Sequence, residues 1–330
     1  MTRALFWLVV VALLVPAVPL TLNRLVDSGA GAAVRIMAFT PYATPFYLLV
    51  VLLVGGALAL GWAGPRQVVA ALLVLPAAAL GLHLWWLAPL YLGEAPTPGK
   101  GRSALTVMNL NMYEGHADAD DVLRLAQDRG AGVLVLEEIT FGALEDLRDA
   151  GIDELYPNTV GEPNGAVDGT MIFTSLPVSD PVRLDTLFQS WQVTLGEGDE
   201  ALTLMGVHPR APVDLGGVDQ WSRENAAILA AAEASDADLV LGDFNATPDH
   251  APMRAWRDAG WRDSLELTNH GWSRTWPANG ISPARGVHLP ALIQIDHVLV
   301  GHRFTTTDPS EVVEIAGTDH RAVLATVARR

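Results

Sequence analysis

The chain has 330 residues, half of them hydrophobic, with 21 basic and 37 acidic side chains and no cysteine. The cysteine count excludes disulfides, thiolate metal sites and a cysteine nucleophile. Only Arg3, Arg24, Arg35, Arg66 and Asp27 are charged before residue 93, which leaves 17 basic and 36 acidic residues, a formal −19, in the remainder; such a domain is poorly suited to gripping a long polyanion, which calls for a basic stripe.

Three apolar runs open the chain: Ala4 to Leu20 behind Arg3, Phe46 to Trp62 with no charge, and Val68 to Tyr91 with His83 as its one ionisable group. Each approaches the ~20 residues of helix that cross a hydrocarbon core. Tyr42, Tyr47, Trp62, Trp85, Trp86 and Tyr91 lie near the run ends, where amphipathic rings favour the interface. A cleavable signal peptide is the competing reading of the first run, but no small-x-small cleavage site follows it. With the N-terminus inside, Arg3 and Arg66 face inward and Arg24, Arg35, Lys100 and Arg102 outward, so positive charge does not set the orientation. His83 is expected to be neutral and to face the interface near Trp85.

Residues 1–92 thus read as a membrane segment of three transmembrane helices. The Gly- and Pro-rich 93–103 reads as a linker and 104–330 as a soluble domain. In it, strands are expected at Ala104–Asn111, Gly132–Leu136, Thr170–Thr174, Trp191–Leu195, Leu202–Val207, Asp238–Leu241, Leu292–Val300 and Ala322–Val327. Helices are expected at Ala117–Arg129, Phe141–Ala150, Gly217–Ala234 and around Ala251–Ala259. Short buried strands among helices predict a layered α+β sandwich with polar motifs at the strand ends, where a rigid sheet can converge side chains on one site.

Those motifs are specific. Gly242-Asp243-Phe244-Asn245 follows an apolar strand, and its acid and amide, two residues apart, can face one ligand; the tetrapeptide alone is equally a turn. Ile295-Asp296-His297 and Gly317-Thr318-Asp319-His320 offer carboxylates that can orient a histidine. Glu138 follows a buried strand and offers the oxygen ligand that Mg²⁺ accepts. Asn111 and His208 each end a further strand.

In this order, with the segment 169–177, the motifs resemble those of the endonuclease/exonuclease/phosphatase (DNase-I-like) family over residues 104–327. The resemblance implies a four-layer αββα sandwich behind the three spans and a Mg²⁺-dependent phosphoesterase, with Mn²⁺ as an alternative ion. It makes Glu138 the principal metal ligand, with Asn111 and Asp319 nearby. It places His320 on the scissile phosphate with Asp296 behind it, Asp243 on the attacking water, and Asn245 and His208 on phosphate oxygens. Abasic-site endonucleases of the family carry an aspartate where this chain has Tyr113, which thins the first strand's share of the metal site and weighs against DNA repair. The architecture is similar to VanJ-type membrane phosphatases associated with teicoplanin resistance, which implies an extracytoplasmic domain and an envelope lipid such as undecaprenyl pyrophosphate as substrate, with nucleic acid disfavoured. An anchored nuclease and a non-catalytic phospholipid- or partner-binding module are the alternatives.

Other residues carry weaker signals. Arg210 could clamp a second phosphate or form a rim ion pair. Gly271–Pro277 holds two tryptophans and Arg274, which suits core packing or an aromatic lip for a lipid or sugar. His116, His250, His270, His288 and His302 are expected in solvated loops, and His297 is either a support for the site or a structural residue.

Overall fold

The computed structural model describes residues 2–101, 103–213, 216–280 and 289–330; His288 lies outside them. The chain divides into two units, Met1–Pro89 and Leu90–Arg330.

The first unit is helical: α1 Arg3–Val26, α2 Gly31–Met37, α3 Ala43–Leu60 and α4 Arg66–Leu87. Among the described residues three helices, Arg3–Val26, Thr40–Leu60 and Arg66–Leu87, are long and apolar enough to cross a bilayer. α1 contains Pro16 and Pro19, and α4 contains Pro76, which helices in lipid tolerate because neighbours satisfy the freed backbone groups. The third apolar helix ends at Leu87 rather than Tyr91, because Pro89 starts a separate turn, α5 Pro89–Leu92. His83 departs from expectation. It is buried, with Nε2 2.9 Å from Thr21 Oγ1, which lies 2.7 Å from the Tyr47 hydroxyl. Its ring packs on Trp86, whereas Trp85 is exposed. A polar side chain in an apolar bundle finds its partners between helices.

The second unit holds two mixed sheets. The seven-stranded sheet contains β1 Leu105–Asn111, β2 Ala131–Glu137, β3 Asn158–Glu162, β4 Thr170–Thr174, β11 Phe304–Thr306, β12 Glu311–Glu314 and β13 Arg321–Arg329, in the order β11-β13-β1-β2-β4-β3, with β12 also on β13. The six-stranded sheet contains β5 Val178–Arg183, β6 Trp191–Leu195, β7 Leu202–Val207, β8 Leu239–Asp243, β9 Arg262–Asp263 and β10 Asp296–Val300, in the order β5-β6-β7-β8-β10-β9. Helices α6 Ala119–Asp128 and α7 Phe141–Asp149 pack with one face of the first sheet, through Val122, Leu123, Leu144 and Leu147 against Met108, Leu110 and Leu134. Alternate residues of both sheets, among them Val107, Val133, Val135, Leu204, Leu239, Leu241, Val298 and Val323, form the core between them. Helices α8 Ile152–Leu155, α9 Gly217–Ala234, α10 Ala251–Asp258 and α11 Ser264–Leu267 complete the set. This is the DNase-I-like α+β sandwich.

Each sheet contains one parallel pair joined through a helix, β1–α6–β2 and β7–α9–β8. The carboxyl ends of such strands are where α/β sheets gather their polar side chains. Asn111 and Asp243 close β1 and β8, while Glu138 and His208 come one residue after β2 and β7. Antiparallel β10 brings Asp296 opposite Asp243 in register, and His320 immediately precedes β13.

Several elements differ from expectation. β3, β5, β9, β11 and β12 lacked a sequence signal. β5 contains Pro181 at an irregular register on the sheet edge, where a missing N–H is tolerated. The run Leu292–Val300 pairs as a strand only from Asp296; Ile293 makes an isolated bridge to Trp276. Segment 93–101 is pinned to the sandwich: Asn269 Nδ2 donates to Gly93 O, Thr305 Oγ1 to Pro96 O and Gly99 N–H to Arg329 O.

Candidate active site

Along each strand every second side chain faces the inter-sheet core. That face runs Val107, Asn109, Asn111 on β1 and Val133, Val135, Glu137 on β2; on β8 it runs Leu239, Leu241, Asp243, and on β10 Val300, Val298, Asp296. Apolar toward one end, it becomes polar at the other, and the polar end is the site. Gly242 is required inside this ladder, since a Cβ there would stand 1.9 Å from Val207 O. The glycine of the GDFN motif is therefore a close-approach residue in β8 rather than a turn former.

Two site residues reach the cleft by leaving the strand alternation. Glu138 has φ 53° and Asn245 φ 49°, the left-handed region that non-glycine residues seldom occupy and that concentrates at functional sites. The turn at 138 brings Glu138 Oε1 to Asn111 Nδ2 at 3.1 Å and Oε2 to the Glu114 N–H at 2.8 Å. The turn at 245 lets the Asn245 N–H donate to Asp243 Oδ1 at 2.8 Å, while its Nδ2 donates to Pro209 O at 3.1 Å. Asp243 and Asn245 are thus joined by a local turn, not by extended alternation. From behind, Trp221 Nε1 donates to Phe244 O and His297 Nε2 to Ala246 O.

Asn111 sits between carboxylates. Its Nδ2 is 3.1 Å from both Glu138 Oε1 and Asp243 Oδ2, and its Oδ1 accepts the Tyr113 N–H at 2.9 Å. The backbone donor at Tyr113 fixes which end of the amide is oxygen, so Asn111 turns a donor toward the two acids.

His320 holds Asp296 with Nδ1, 3.1 and 3.0 Å from Oδ1 and Oδ2. Its Nε2 lies 3.8 Å from Asp243 Oδ2 and 3.8 Å from Asp319 Oδ1. His208 Nε2 is 3.9 Å from the same Asp243 oxygen. The Thr318 hydroxyl donates to Asn111 O and accepts the His320 N–H, tying this loop to the end of β1. Arg210 follows on the rim, where its backbone N–H donates to Glu224.

The electrostatics follow from burial and crowding. Burial opposes charge on His320, but the carboxylates of Asp296, Asp243 and Asp319 outweigh it and push the imidazolium up to about 10. Burial, then the neighbouring His320 charge, lower His208 to about 3; it is a neutral imidazole. Burial, then the facing Asp296, raise Asp243 to about 7. Burial also raises Glu138 and Asp319.

Ligand atoms of Asp243, Asp296 and His320 lie within 4.8 Å of one another. Because Asp296 and His320 already satisfy each other, this trio is better suited to moving a proton than to caging an ion. Asp319 Oδ1 is buried and without a hydrogen-bond partner among the described residues, while Asp319 Oδ2 is held by Trp276 Nε1 at 2.9 Å. Hard oxygens on Glu138 and Asp319, two acids raised by burial, fit a divalent cation.

The roles of four residues here escaped the sequence reading. Glu137 is fully buried, with neither carboxylate oxygen hydrogen-bonded among the described residues; two successive acids closing a buried strand were its signal. Trp276 braces Asp319, and Trp272 carries Arg274 over its ring at 5.5 Å, so both tryptophans of 271–277 are engaged. Asp263 holds His297 Nδ1 at 2.5 Å, which makes His297 a support for the turn after Asn245. Glu224 tethers two loops beside His208. His250, expected in solvent, is buried and accepts the Thr247 N–H; His116, His270 and His302 are exposed as expected.

No curated protein matches the chain in sequence. Solved structures share its fold. They include an endonuclease/exonuclease/phosphatase from Beutenbergia cavernae (15% identity, TM-score 0.53, 69% of this chain and 72% of that one). TDP2 of D. rerio complexed with single strand DNA product is similar at 16% identity and TM-score 0.55, covering 68% and 99%. The endonuclease/exonuclease/phosphatase from Bacteroides vulgatus is similar at 13% identity and TM-score 0.51, covering 69% and 100%. Residues 108–320 match the model of the Endonuclease/Exonuclease/phosphatase family. The chain belongs to that family and is a metal-dependent phosphoester hydrolase.

Proposed function

We propose that this protein is a Mg²⁺-dependent phosphoesterase held in the membrane by three spans, acting on a phosphoester or pyrophosphate of an envelope lipid such as an isoprenoid pyrophosphate. The observation that carries the reading is Asp243, with Oδ2 under 4 Å from both His320 Nε2 and His208 Nε2, in a chain that begins with three bilayer-length helices. Tethering would concentrate the enzyme at lipid headgroups.

In this reading Asp243, with its affinity for a proton raised to about 7, takes the proton of the attacking water. His320, kept protonated by Asp296, donates from Nε2 to a phosphoryl oxygen. His208 and the second amide hydrogen of Asn245 bind further oxygens, and Arg210 waits on the rim for a second phosphate. Glu138 and Asp319 would hold the ion, with Asn111 orienting Glu138. Bound there, Mg²⁺ or Mn²⁺ would offset charge developing on the phosphoryl group. An extracytoplasmic placement and kinship with VanJ-type phosphatases belong to the same proposal.

The likeness to TDP2 solved with a DNA product favours a second reading, an anchored nuclease. The formal −19 of residues 93–330 weighs against it. The test is phosphate release by the full chain in detergent, with and without Mg²⁺, on an isoprenoid pyrophosphate and a phosphodiester lipid, beside nicking of plasmid DNA, with His320→Ala as control. Turnover of the pyrophosphate that needs both Mg²⁺ and His320 supports the proposal; nicking of DNA alone replaces it with the nuclease, and no turnover with a binding module.

A further inference from the structure

Glu224 of α9 is buried in the second unit, and its carboxylate has the task of joining two loops. Oε1 accepts the Leu187 N–H at 2.7 Å and Gln220 Nε2 at 2.7 Å, and Oε2 accepts the Arg210 N–H at 2.8 Å. One carboxylate thus fixes the β5–β6 loop beside the loop that leaves β7. A charged acceptor taking backbone N–H groups makes strong, directional bonds, so the backbones at Leu187 and Arg210 are held together.

What they carry is apolar. Leu187 is 50% exposed and Val213 69%. Phe188 packs its ring 5.0 Å from that of His208, His208 Nε2 is 3.9 Å from Asp243 Oδ2, and Pro209 O holds Asn245 Nδ2. The first loop therefore sets Phe188 against His208 with Leu187 next to it in the chain, and the second carries Val213 three residues past Arg210.

We infer that these loops, locked by Glu224, form an apolar lip that receives the aliphatic chain of an amphiphilic phosphate whose headgroup lies at His208, Asp243 and His320. The inference rests on the lipid-phosphate reading above and adds the part of the substrate that reading leaves unrecognised. The occupant is set by its surroundings. A polyanion is disfavoured by the formal −19 of this region, a small polar phosphate would leave the apolar side chains in water, and three bilayer-length helices in the same chain keep amphiphiles at hand. Removing such side chains from water supplies selectivity by chain length without touching the reacting group.

The experiment compares kcat/KM for two pyrophosphates, a long isoprenoid and a five-carbon one, using the full chain in detergent, for wild type, Leu187→Ser/Val213→Ser and Glu224→Gln. The ratio of the two values is the readout, so a general loss of folded enzyme cancels. Wild type is expected to favour the long chain by about tenfold or more, the range that a few methylenes in an apolar site supply, and the serine pair to bring the ratio near one. Glu224→Gln replaces the acceptor for Arg210 with a donor and is expected to lower the ratio in part. A wild-type preference that survives in the serine pair would overturn the lip and leave the lipid-phosphatase reading standing. Equal turnover of both pyrophosphates by wild type would overturn the lip while keeping a pyrophosphatase. Turnover of neither, with DNA nicked instead, would remove the lipid reading itself and the lip with it.

Discussion

Asp296 holds His320 Nδ1 with both carboxylate oxygens, at 3.1 and 3.0 Å, which leaves Nε2 as the only nitrogen that can meet a substrate. The carboxylate fixes ring and tautomer at once and favours the imidazolium. Asp296→Asn keeps the shape but offers an amide in place of the charge. Turnover is expected to fall about 10²–10⁴-fold, as for loss of a positioned proton donor, with little change in KM. His320→Ala should fall at least as far, and the double variant no further than His320→Ala. Additive losses in the double variant would show that Asp296 works independently of the imidazole.

The pH profile follows from Asp243 and His320. Asp243 must be ionised to accept a proton, and it titrates at about 7; His320 must be protonated, and it releases its proton at about 10. Plotted against pH, kcat/KM should therefore rise toward 7 and fall near 10. A bound cation favours the ionised carboxylate, so saturating Mg²⁺ should move the lower limb to lower pH. A lower limb indifferent to Mg²⁺ would separate Asp243 from the ion.

Metal removal has a stability signature. Glu138 and Asp319 are both raised by burial, so a divalent ion relieves an electrostatic cost in the folded state. Chelation is expected to abolish turnover and lower Tm, and Mg²⁺ to raise Tm with concentration, the stabilisation reaching about 2.7 kcal/mol at a hundredfold excess over Kd. Glu138→Gln and Asp319→Asn should shift that titration to higher Mg²⁺, whereas Asn111→Ala should weaken it less, because Asn111 presents its donor rather than its oxygen. Equal losses for all three would place the Asn111 oxygen on the ion.

Gly242 stands where a Cβ would meet Val207 O at 1.9 Å. Gly242→Ala forces β7 and β8 apart and should cost about 1–3 kcal/mol, the usual range for overpacking. Its activity should fall more than its stability, because Asp243 ends one of the strands that separate and His208 follows directly on the other. Denaturant unfolding beside steady-state kinetics checks both.

Much of the site was legible because its residues sit at the ends of apolar runs. Val133–Leu136 before Glu138 and Leu239–Leu241 before Asp243 are strands buried on both faces, which composition alone reveals. The exposed strands were not legible: Val178–Arg183 and Glu311–Glu314 are polar edge segments, held by pairing rather than by a pattern of their own. Supports such as Asp263 for His297, Trp276 for Asp319 and Glu224 for the loops join residues distant in sequence through single hydrogen bonds, and no local spacing announces those. The left-handed turns at Glu138 and Asn245 were equally invisible, since nothing in either side chain demands positive φ.

Glu137 shows how such a site burdens the fold. It lies opposite Thr170 and beside Asn111 in register, is fully buried, and its oxygens have no hydrogen-bond partner among the described residues. Burial first, then the neighbouring Asp296 and Asp243, raise it well above the ordinary carboxylate range. Below the unfolded-state value both states hold the proton and nothing is lost. As pH rises past about 4.5 the unfolded chain releases its proton while the folded one keeps it, so stability falls with pH, by up to about 1.4 kcal/mol per pH unit while that difference persists. Glu137→Gln removes the titration and keeps the shape. In chelator the variant should therefore melt above wild type at pH 8, by about 2–4 °C for each kcal/mol, with the gap closing toward pH 4. A variant that melts below wild type at both pH values would mean that the Glu137 carboxyl stabilises the fold.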